Sequence, residues 1–253
     1  MVLLLMYLPI LILAVYSFMD SAIIGKSGSF TVKNYVYLFH SEDLRSMIFG
    51  TLILAVVVAV ISTILGTLGA IGAFYSSKKF KRPIHLMNQI PVVNADVVTG
   101  FSICVLLIVF FKMDKASYVP LVIGLVSLCS PFVYLSVIPR LKQMDPQLYE
   151  AALDLGCSPF GALRKVVLPQ LTSGIVSGFM MSITLTLDDY FITTYTKPSM
   201  FDTISTYVVN ATKGAQTDVK TALWALSTII FLIVIFVVIG MNHTGRKEND
   251  HEI

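Results

Sequence analysis

The chain has 253 residues, of which 56% are hydrophobic and 13% charged, and its mean hydropathy is +0.81. A single soluble core of this size cannot bury so much apolar surface, so the composition excludes an ordinary soluble domain and favours a lipid bilayer. The formal net charge of +3 is spread over the loops without forming a basic stripe, which argues against nucleic acid as a partner.

Six apolar stretches follow one another along the chain, and each has about the 20 residues that a helix needs to cross hydrocarbon. They are residues 1–19, 46–77, 83–111, 116–139, 166–187 and 221–245. Asp96 interrupts the third stretch. We predict an all-α, polytopic membrane protein with six transmembrane helices, which form a single transmembrane domain over residues 1–253.

Basic residues indicate the side of the membrane on which each loop lies. Lys78, Lys79, Lys81 and Arg82 crowd the short loop after the second stretch, and no loop on the opposite side has such a cluster. Short loops rich in Lys and Arg remain in the cytoplasm. Because six spans return the chain to its starting side, both termini are predicted to be cytoplasmic. No Lys or Arg precedes the first stretch, which favours a retained helix over a cleaved signal peptide.

The polar segment 140–170, between the fourth and fifth stretches, has the turn chemistry of two short helices. Asp145, which is followed by proline, suits a helix N-cap, and Gly156 suits the left-handed residue just past a helix end. Ser158, also followed by proline, begins a second helix. We expect that helix to break or kink near Pro169.

The same segment resembles the cytoplasmic motif of ABC importer permeases, which is EAA, three residues, G, nine residues, I, one residue, and LP. The matching positions are Glu150, Ala151, Ala152, Gly156, Val166, Leu168 and Pro169, with valine in place of the usual isoleucine. The resemblance implies a type I ABC importer permease fold, in which the loop 140–170 is the coupling helix that docks into an ATPase subunit. An amphipathic hairpin at the membrane surface, without any partner, is the alternative.

Three carboxylates lie at predicted membrane depth: Asp96 in the third stretch, and Asp188 and Asp189 near the outer end of the fifth. Each would cost roughly 2.5 to 3.5 kcal/mol at the bilayer centre, and no Lys or Arg lies within a predicted span to pair with them. They therefore indicate a pathway for a cationic substrate. Capping of a broken helix by Asp96, and a position among the headgroups for the adjacent pair, are the alternatives.

Two further segments extend the resemblance. Residues 184–196, TLTLDDYFITTYT, and residues 94–102, NADVVTGFS, are similar to segments of the PotC-type permease subunits of spermidine/putrescine importers. This resemblance implies a polyamine as cargo, and Tyr190 and Tyr195 then offer aromatic faces to its ammonium groups. Tyr190 replaces a small aliphatic residue of that family, which leaves the choice of polyamine open, and tyrosines at this depth also form interface belts.

The resemblance also implies partners and a location. A homologous second permease, a dimer of ABC ATPases that binds ATP and Mg, and an extracytoplasmic polyamine-binding protein are expected to assemble with this chain in the plasma (inner) membrane of a prokaryote.

The sequence contains no G-x-x-x-x-G-K-[ST], HExxH or GxSxG pattern, so we expect neither an enzyme nor a cofactor in this chain. Its scattered histidines, and its three cysteines without CxxC spacing, predict no metal site. An ABC permease for another cation or small solute remains an alternative. A self-sufficient secondary transporter is a further one, although the internal repeats typical of that class are absent. A membrane enzyme or assembly factor would need a constellation that the sequence lacks.

Overall fold

The computed structural model describes residues 2–20, 28–145, 147–214, 221–229, 231–232 and 235. These residues are largely helical, and the extended pairing among them is an isolated bridge between Met19 and Phe30. The all-α prediction is thereby confirmed.

The helices have the following bounds. They are α1 (Val2–Tyr16), α2 (Lys33–His40), α3 (Glu42–Tyr75), α4 (Lys78–Val93), α5 (Asp96–Cys104), α6 (Val119–Gln143), α7 (Gln147–Asp154), α8 (Pro159–Ala162), α9 (Leu168–Gln170), α10 (Thr172–Asp188), α11 (Phe191–Thr196) and α12 (Ile204–Gly214). Two π-helical segments, Val105–Phe110 and Leu163–Val167, continue α5 and α8. Residues 221–229 are also helical.

Two compact units make up the chain, one of residues 1–46 and 207–253 and one of residues 47–206. In the first unit, the side-chain amide of Asn34 in α2 donates to the carbonyls of Ser17 (2.8 Å) and Met19 (3.0 Å), which follow α1. These bonds satisfy carbonyls at a helix end and hold α2 against that end. The prediction of a single transmembrane domain stays a prediction.

The second unit is built around α6, which packs against α3 and α10. Val133 of α6 is fully buried, and glycines face it from both neighbours. A Cβ on Gly66 of α3 would lie 2.6 Å from the Cβ of Val133, and one on Gly178 of α10 would lie 3.1 Å from its Cα. Small residues therefore allow these three helices to approach closely, as they do in membrane bundles.

Two helices among the described residues, α3 and α6, are long and apolar enough to cross a membrane, and they match the second and fourth predicted spans. The third and fifth predicted spans are each a bent pair of helices. Residues 79–93 and 96–110 meet at 104°, and residues 159–170 and 172–188 meet at 70°. The described structure therefore offers two to four spans by length and composition.

The interruption expected at Asp96 within the stretch 83–111 is present as a sharp turn just before that residue. Hydropathy could not give the angle of the turn, because it does not record the direction of the chain. Asn94 and Ala95 adopt extended backbone between α4 and α5. The first predicted span is the 15-residue helix α1. The sixth, residues 221–245, lies mostly outside the described residues.

Candidate functional site

Asp145 and Gly156 bound the first short helix of the loop 140–170, as predicted. The Asp145 carboxylate accepts the backbone N–H of Gln147 at 2.9 Å, at the start of α7. Gly156 has φ +84°, its N–H donates to the carbonyl of Leu153, and the N–H of Cys157 donates to that of Ala152. This pair of bonds is the Schellman arrangement, and the positive φ explains the need for glycine.

Ser158 caps the second short helix. Its hydroxyl accepts the N–H of Gly161 at 3.2 Å, and Pro159 begins α8. The predicted break falls at Leu171, two residues beyond Pro169, where the chain turns by 70° into α10. Pro169 lies in the first turn of α9, a position at which its missing N–H is tolerated.

The EAA residues face in different directions. Ala152 is only 6% exposed, whereas Glu150 and Ala151 on the same helix are exposed. Gly156 and Pro169 are exposed as well, and Leu168 is half-buried. The loop contacts the bundle through Tyr149, whose ring lies 4.9 Å from that of Tyr75 at the end of α3. The motif thus has one residue that fixes the loop to the bundle and others that remain accessible.

Two apolar side chains of this loop were missed by the sequence analysis. Leu155 is 87% exposed and Phe160 is 74% exposed, one on each side of the turn at Gly156. Their positions in the sequence could have identified them, because Leu155 lies beside the helix-ending Gly156 and Phe160 lies beside the helix-starting Pro159.

Asp189 is buried at the junction between α10 and α11. It is 8% exposed and follows the last residue of α10. Its carboxylate accepts the backbone N–H of Thr193 at 2.7 Å, the hydroxyl of Thr193 at 2.8 Å and the N–H of Ile192 at 3.4 Å. These donors lie in the first turn of α11, so Asp189, which precedes the N-cap residue Tyr190, supplies the capping acceptor for otherwise free N–H groups at the start of this helix.

Helices α5 and α11 lie side by side and run in the same direction. A Cβ on Gly100 would lie 3.1 Å from the Cα of Ile192, and further along the thiol of Cys104 donates to the carbonyl of Tyr195 at 3.2 Å. Asp96, the first residue of α5, comes four residues before Gly100, and Asp189 comes three residues before Ile192, so both carboxylates lie at the same end of this contact. Two helix N-termini, each with a carboxylate, therefore meet at one place.

The five predicted pathway residues differ in accessibility. Asp96 and Asp188 are exposed, Tyr190 and Tyr195 are half-buried, and Asp189 is buried. Asp96 does not occupy the N-cap of α5, because that residue is Ala95 and Asp96 is the first residue of the helix. Within the described parts of the chain, the ion pair found is Lys197–Asp202, so none of the three carboxylates has a cationic partner there.

Aromatic rings line the α5–α11 contact. The ring of Phe101 in α5 meets that of Tyr195 edge-on at 5.8 Å, and Tyr190 meets Phe191 in the same way at 5.3 Å. Phe101 was not identified from the sequence, since it lies within an uninterrupted apolar run. The α5–α11 contact thus has Asp96 and Asp189 at its beginning and Tyr195 further along, where Tyr195 meets an aromatic residue that hydropathy alone could not single out.

Known proteins resemble this chain over most of its length. It is 29% identical over 245 residues to the spermidine/putrescine transport system permease protein PotC of Escherichia coli K12, which covers 96% of this chain and 90% of the relative. It is 29% identical over 238 residues to the putrescine transport system permease protein PotI of the same organism, covering 89% and 81%. PotC of Haemophilus influenzae is 28% identical over 244 residues, covering 96% and 93%.

Solved structures share the fold. A chain of a bacterial ABC transporter involved in the import of the acidic polysaccharide alginate superposes with a TM-score of 0.71 at 18% identity, covering 94% of this chain and 89% of that one. A chain of an amino acid ABC transporter gives a TM-score of 0.53 at 18% identity, covering 81% and 94%. At this identity the likeness establishes the fold.

The family resemblance inferred from the motif at Glu150 to Pro169 is confirmed independently. Residues 66–244 match the family described as binding-protein-dependent transport system inner membrane component. This stretch includes the loop 140–170 and the residues Asp96, Asp188 and Asp189. The chain belongs to this family of inner membrane transport components.

Proposed function

We propose that this chain is the permease subunit of an ATP-driven importer of polyamines, of the spermidine and putrescine class. The main support for a polyamine substrate is the exposed carboxylate of Asp96 at the start of α5. Asp189, at the same end of the α5–α11 contact, already accepts hydrogen bonds from α11. The names of the PotC and PotI relatives, which are permeases for spermidine and putrescine, agree with a cationic cargo.

The electrostatics favour a cation. Asp189 already receives three hydrogen bonds from α11, whereas among the described residues no hydrogen bond reaches the carboxylate of Asp96. A carboxylate at membrane depth is usually paired or faces water along a substrate path. The exposed charges of Asp96 and Asp188 are therefore available to ammonium groups, while Asp189 serves to hold α11 in place.

Aromatic faces supply the second element of polyamine recognition. Tyr195 and Phe101 lie on the helices that begin at the two carboxylates. A polyamine alternates ammonium groups with apolar methylene spacers. Carboxylates form ion pairs with the ammonium groups, and aromatic rings contact the same groups through cation–π interactions while packing against the spacers. Because only a few exposed side chains would contact the polyamine, binding would be weak enough for its release, which transport requires.

The coupling loop connects this pathway to ATP hydrolysis in another subunit. Glu150, Ala151, Leu155 and Phe160 form an exposed surface on two capped helices, and this surface docks on the ATPase. Ala152 and Tyr149 anchor the loop to the bundle, so a movement of the ATPase is passed to the helices as a rigid body.

The complete transporter contains this chain, a homologous second permease, two ATPase subunits that bind ATP and Mg, and an extracytoplasmic binding protein that delivers the polyamine. Closure of the ATPases on ATP draws the coupling loops together and reorients the bundle in an alternating-access cycle. The basic cluster at residues 78–82 supports a cytoplasmic position for the loop that carries it and for both termini.

Uptake of radiolabelled spermidine by the reconstituted complex tests the substrate. Asp96→Asn and Asp188→Asn should each raise the spermidine concentration needed for half-maximal uptake, by about tenfold for the loss of one ion pair with a desolvated partner. Asp114→Asn is the matched control, since Asp114 is an exposed carboxylate in the loop before α6. Unchanged uptake kinetics in both Asp96→Asn and Asp188→Asn would contradict the proposal that these carboxylates bind a polyamine.

A further inference from the structure

A small cleft lies between the end of α3, the start of α4 and the second half of α6. Its volume is about 270 Å³, and its polar lining comes from Lys81, Arg82, His85, Tyr134 and Lys142. Ala73 and Ile138 form its apolar floor. Three permanent cations thus converge on one opening, and no carboxylate lines it.

Two of the polar side chains are held in position. The Nζ of Lys81 donates to the carbonyl of Phe74 at 3.3 Å and lies 4.6 Å above the Phe74 ring. Tyr134 is 3% exposed, and its hydroxyl lies 3.5 Å from Nδ1 of His85. The Nε2 of His85 in turn lies 3.3 Å from the side-chain amide nitrogen of Gln89. The cleft therefore has a preformed polar wall rather than only mobile side chains at its rim.

These cations lack acidic partners within the described part of the chain. The ion pair found there, Lys197–Asp202, lies elsewhere, and no carboxylate comes within 4.0 Å of Lys81, Arg82 or Lys142. Close cations repel one another, and a partly buried group such as Lys81 is screened less than one in open water. An anion bound in the cleft would relieve this repulsion.

Helix α4 indicates where the anion comes from. Phe80, Met87 and Ile90 are exposed on the face opposite to the cleft, and the helix turns by 104° before α5. A helix with one basic face and one apolar face lies in the membrane interface, with its apolar side among the acyl chains. The cleft then opens at the depth of the phospholipid phosphates.

We propose that this cleft binds the phosphodiester headgroup of an anionic phospholipid, of the phosphatidylglycerol or cardiolipin class, from the leaflet in which α4 lies. Arg82 and Lys142 contact the phosphate from the two sides of the opening, Lys81 contributes its positive charge from below, and Tyr134 with His85 faces the glycerol oxygens. Basic pockets between membrane helices are suited to such headgroups. The site is separate from the α5–α11 carboxylates and does not depend on a polyamine cargo.

Native mass spectrometry of the full chain, purified in detergent with equal amounts of phosphatidylglycerol and phosphatidylcholine, tests the proposal. The wild-type chain should retain phosphatidylglycerol preferentially. Arg82→Gln combined with Lys142→Gln should lower this preference by about tenfold, because each basic residue near a lipid phosphate adds to the attraction. The matched control, Lys112→Gln with Lys115→Gln, removes two exposed lysines from the loop before α6 and should keep the preference.

Three results would overturn the proposal. The first is equal retention of the two lipids by the wild-type chain, whatever the variants do. The second is an equal loss of the preference for phosphatidylglycerol in the cleft variant (Arg82→Gln with Lys142→Gln) and in the control variant, which would mean a diffuse electrostatic attraction between the chain and the lipid. The third is displacement of the lipid by soluble glycerol phosphate or inorganic phosphate at comparable concentration, which would mean a site for a free anion. Since Arg82 and Lys142 are exposed, the double variant is expected to fold. The comparison of the two lipids on the wild-type chain needs no variant at all.

Discussion

Gly100 of α5 lies directly against the main chain of Ile192 in α11, where a Cβ on residue 100 would stand 3.1 Å from the Ile192 Cα and 3.2 Å from its nitrogen. Ile192 also contacts α6, where a Cβ on Gly124 would stand 2.8 Å from its Cγ2. Ile192 is fully buried between the two glycines. This contact fixes the position of α11, and with it the placement of Asp189 beside Asp96.

Replacement of Gly100 by valine should destabilise the α5–α11 contact, because the facing atoms belong to backbone and cannot rotate away. We expect a loss of about 1 to 3 kcal/mol from overpacking, visible as a lower melting temperature of the purified chain. Gly72→Val is the control, since no atom lies within 4 Å of a Cβ at that position. Equal melting temperatures for the two variants would contradict the contact.

Asp189 should contribute to stability more than Asp188 does. Asp189→Ala removes the acceptor for the first turn of α11 and should cost about 0.5 to 2 kcal/mol, whereas Asp189→Asn keeps a capping oxygen and should cost less. Thermal unfolding in detergent measures both. Asp188→Ala is the control because this side chain is exposed, and the capping role fails if Asp188→Ala and Asp189→Ala melt alike.

Glu150→Lys should reduce the amount of ATPase recovered with the chain, because it reverses the charge of an exposed residue on the docking surface. Membrane insertion should remain intact, since the residue is outside the bundle core. Co-purification from membranes measures the first quantity and the membrane fraction measures the second. Asp114→Lys makes the same charge change in the loop before α6 and should leave recovery unchanged. Normal recovery with Glu150→Lys would count against docking at α7.

Leu155 and Phe160 should matter for assembly rather than for folding. Alanine at either position should change the stability of the isolated chain by no more than about 0.5 kcal/mol, since both side chains are largely exposed. A buried apolar anchor of an interface commonly contributes more than 1 kcal/mol, so ATPase affinity should fall by about tenfold. Titration of detergent-solubilised chain with ATPase measures this, and an unchanged affinity in both variants would exclude these residues from the interface.

Local chemistry explains which structural features the sequence predicted well. The cap at Asp145, the left-handed Gly156 and the start at Ser158 depend on a few neighbouring residues, and all three are present as expected. The apolar helices α3 and α6 were found for a similar reason, because a long uncharged run has few alternatives in a bilayer.

Features set by distant contacts were not predictable in the same way. The 104° turn between α4 and α5 depends on how the two helices pack, and hydropathy does not record direction. The burial of Asp189 depends on the break between α10 and α11, which brings the N–H of Thr193 within hydrogen-bond distance of the Asp189 carboxylate. The sequence placed three carboxylates at membrane depth without showing which of them is buried, whereas packing buries Asp189 and leaves Asp96 and Asp188 exposed.

The most direct test of the proposed function is uptake of radiolabelled spermidine by proteoliposomes that contain this chain alone or together with its second permease, ATPase and binding protein. The account predicts ATP-dependent uptake by the full set and none by the chain alone. Gradient-driven uptake by the chain alone would contradict it and indicate a secondary transporter. A full set that hydrolyses ATP without moving spermidine would contradict the polyamine assignment.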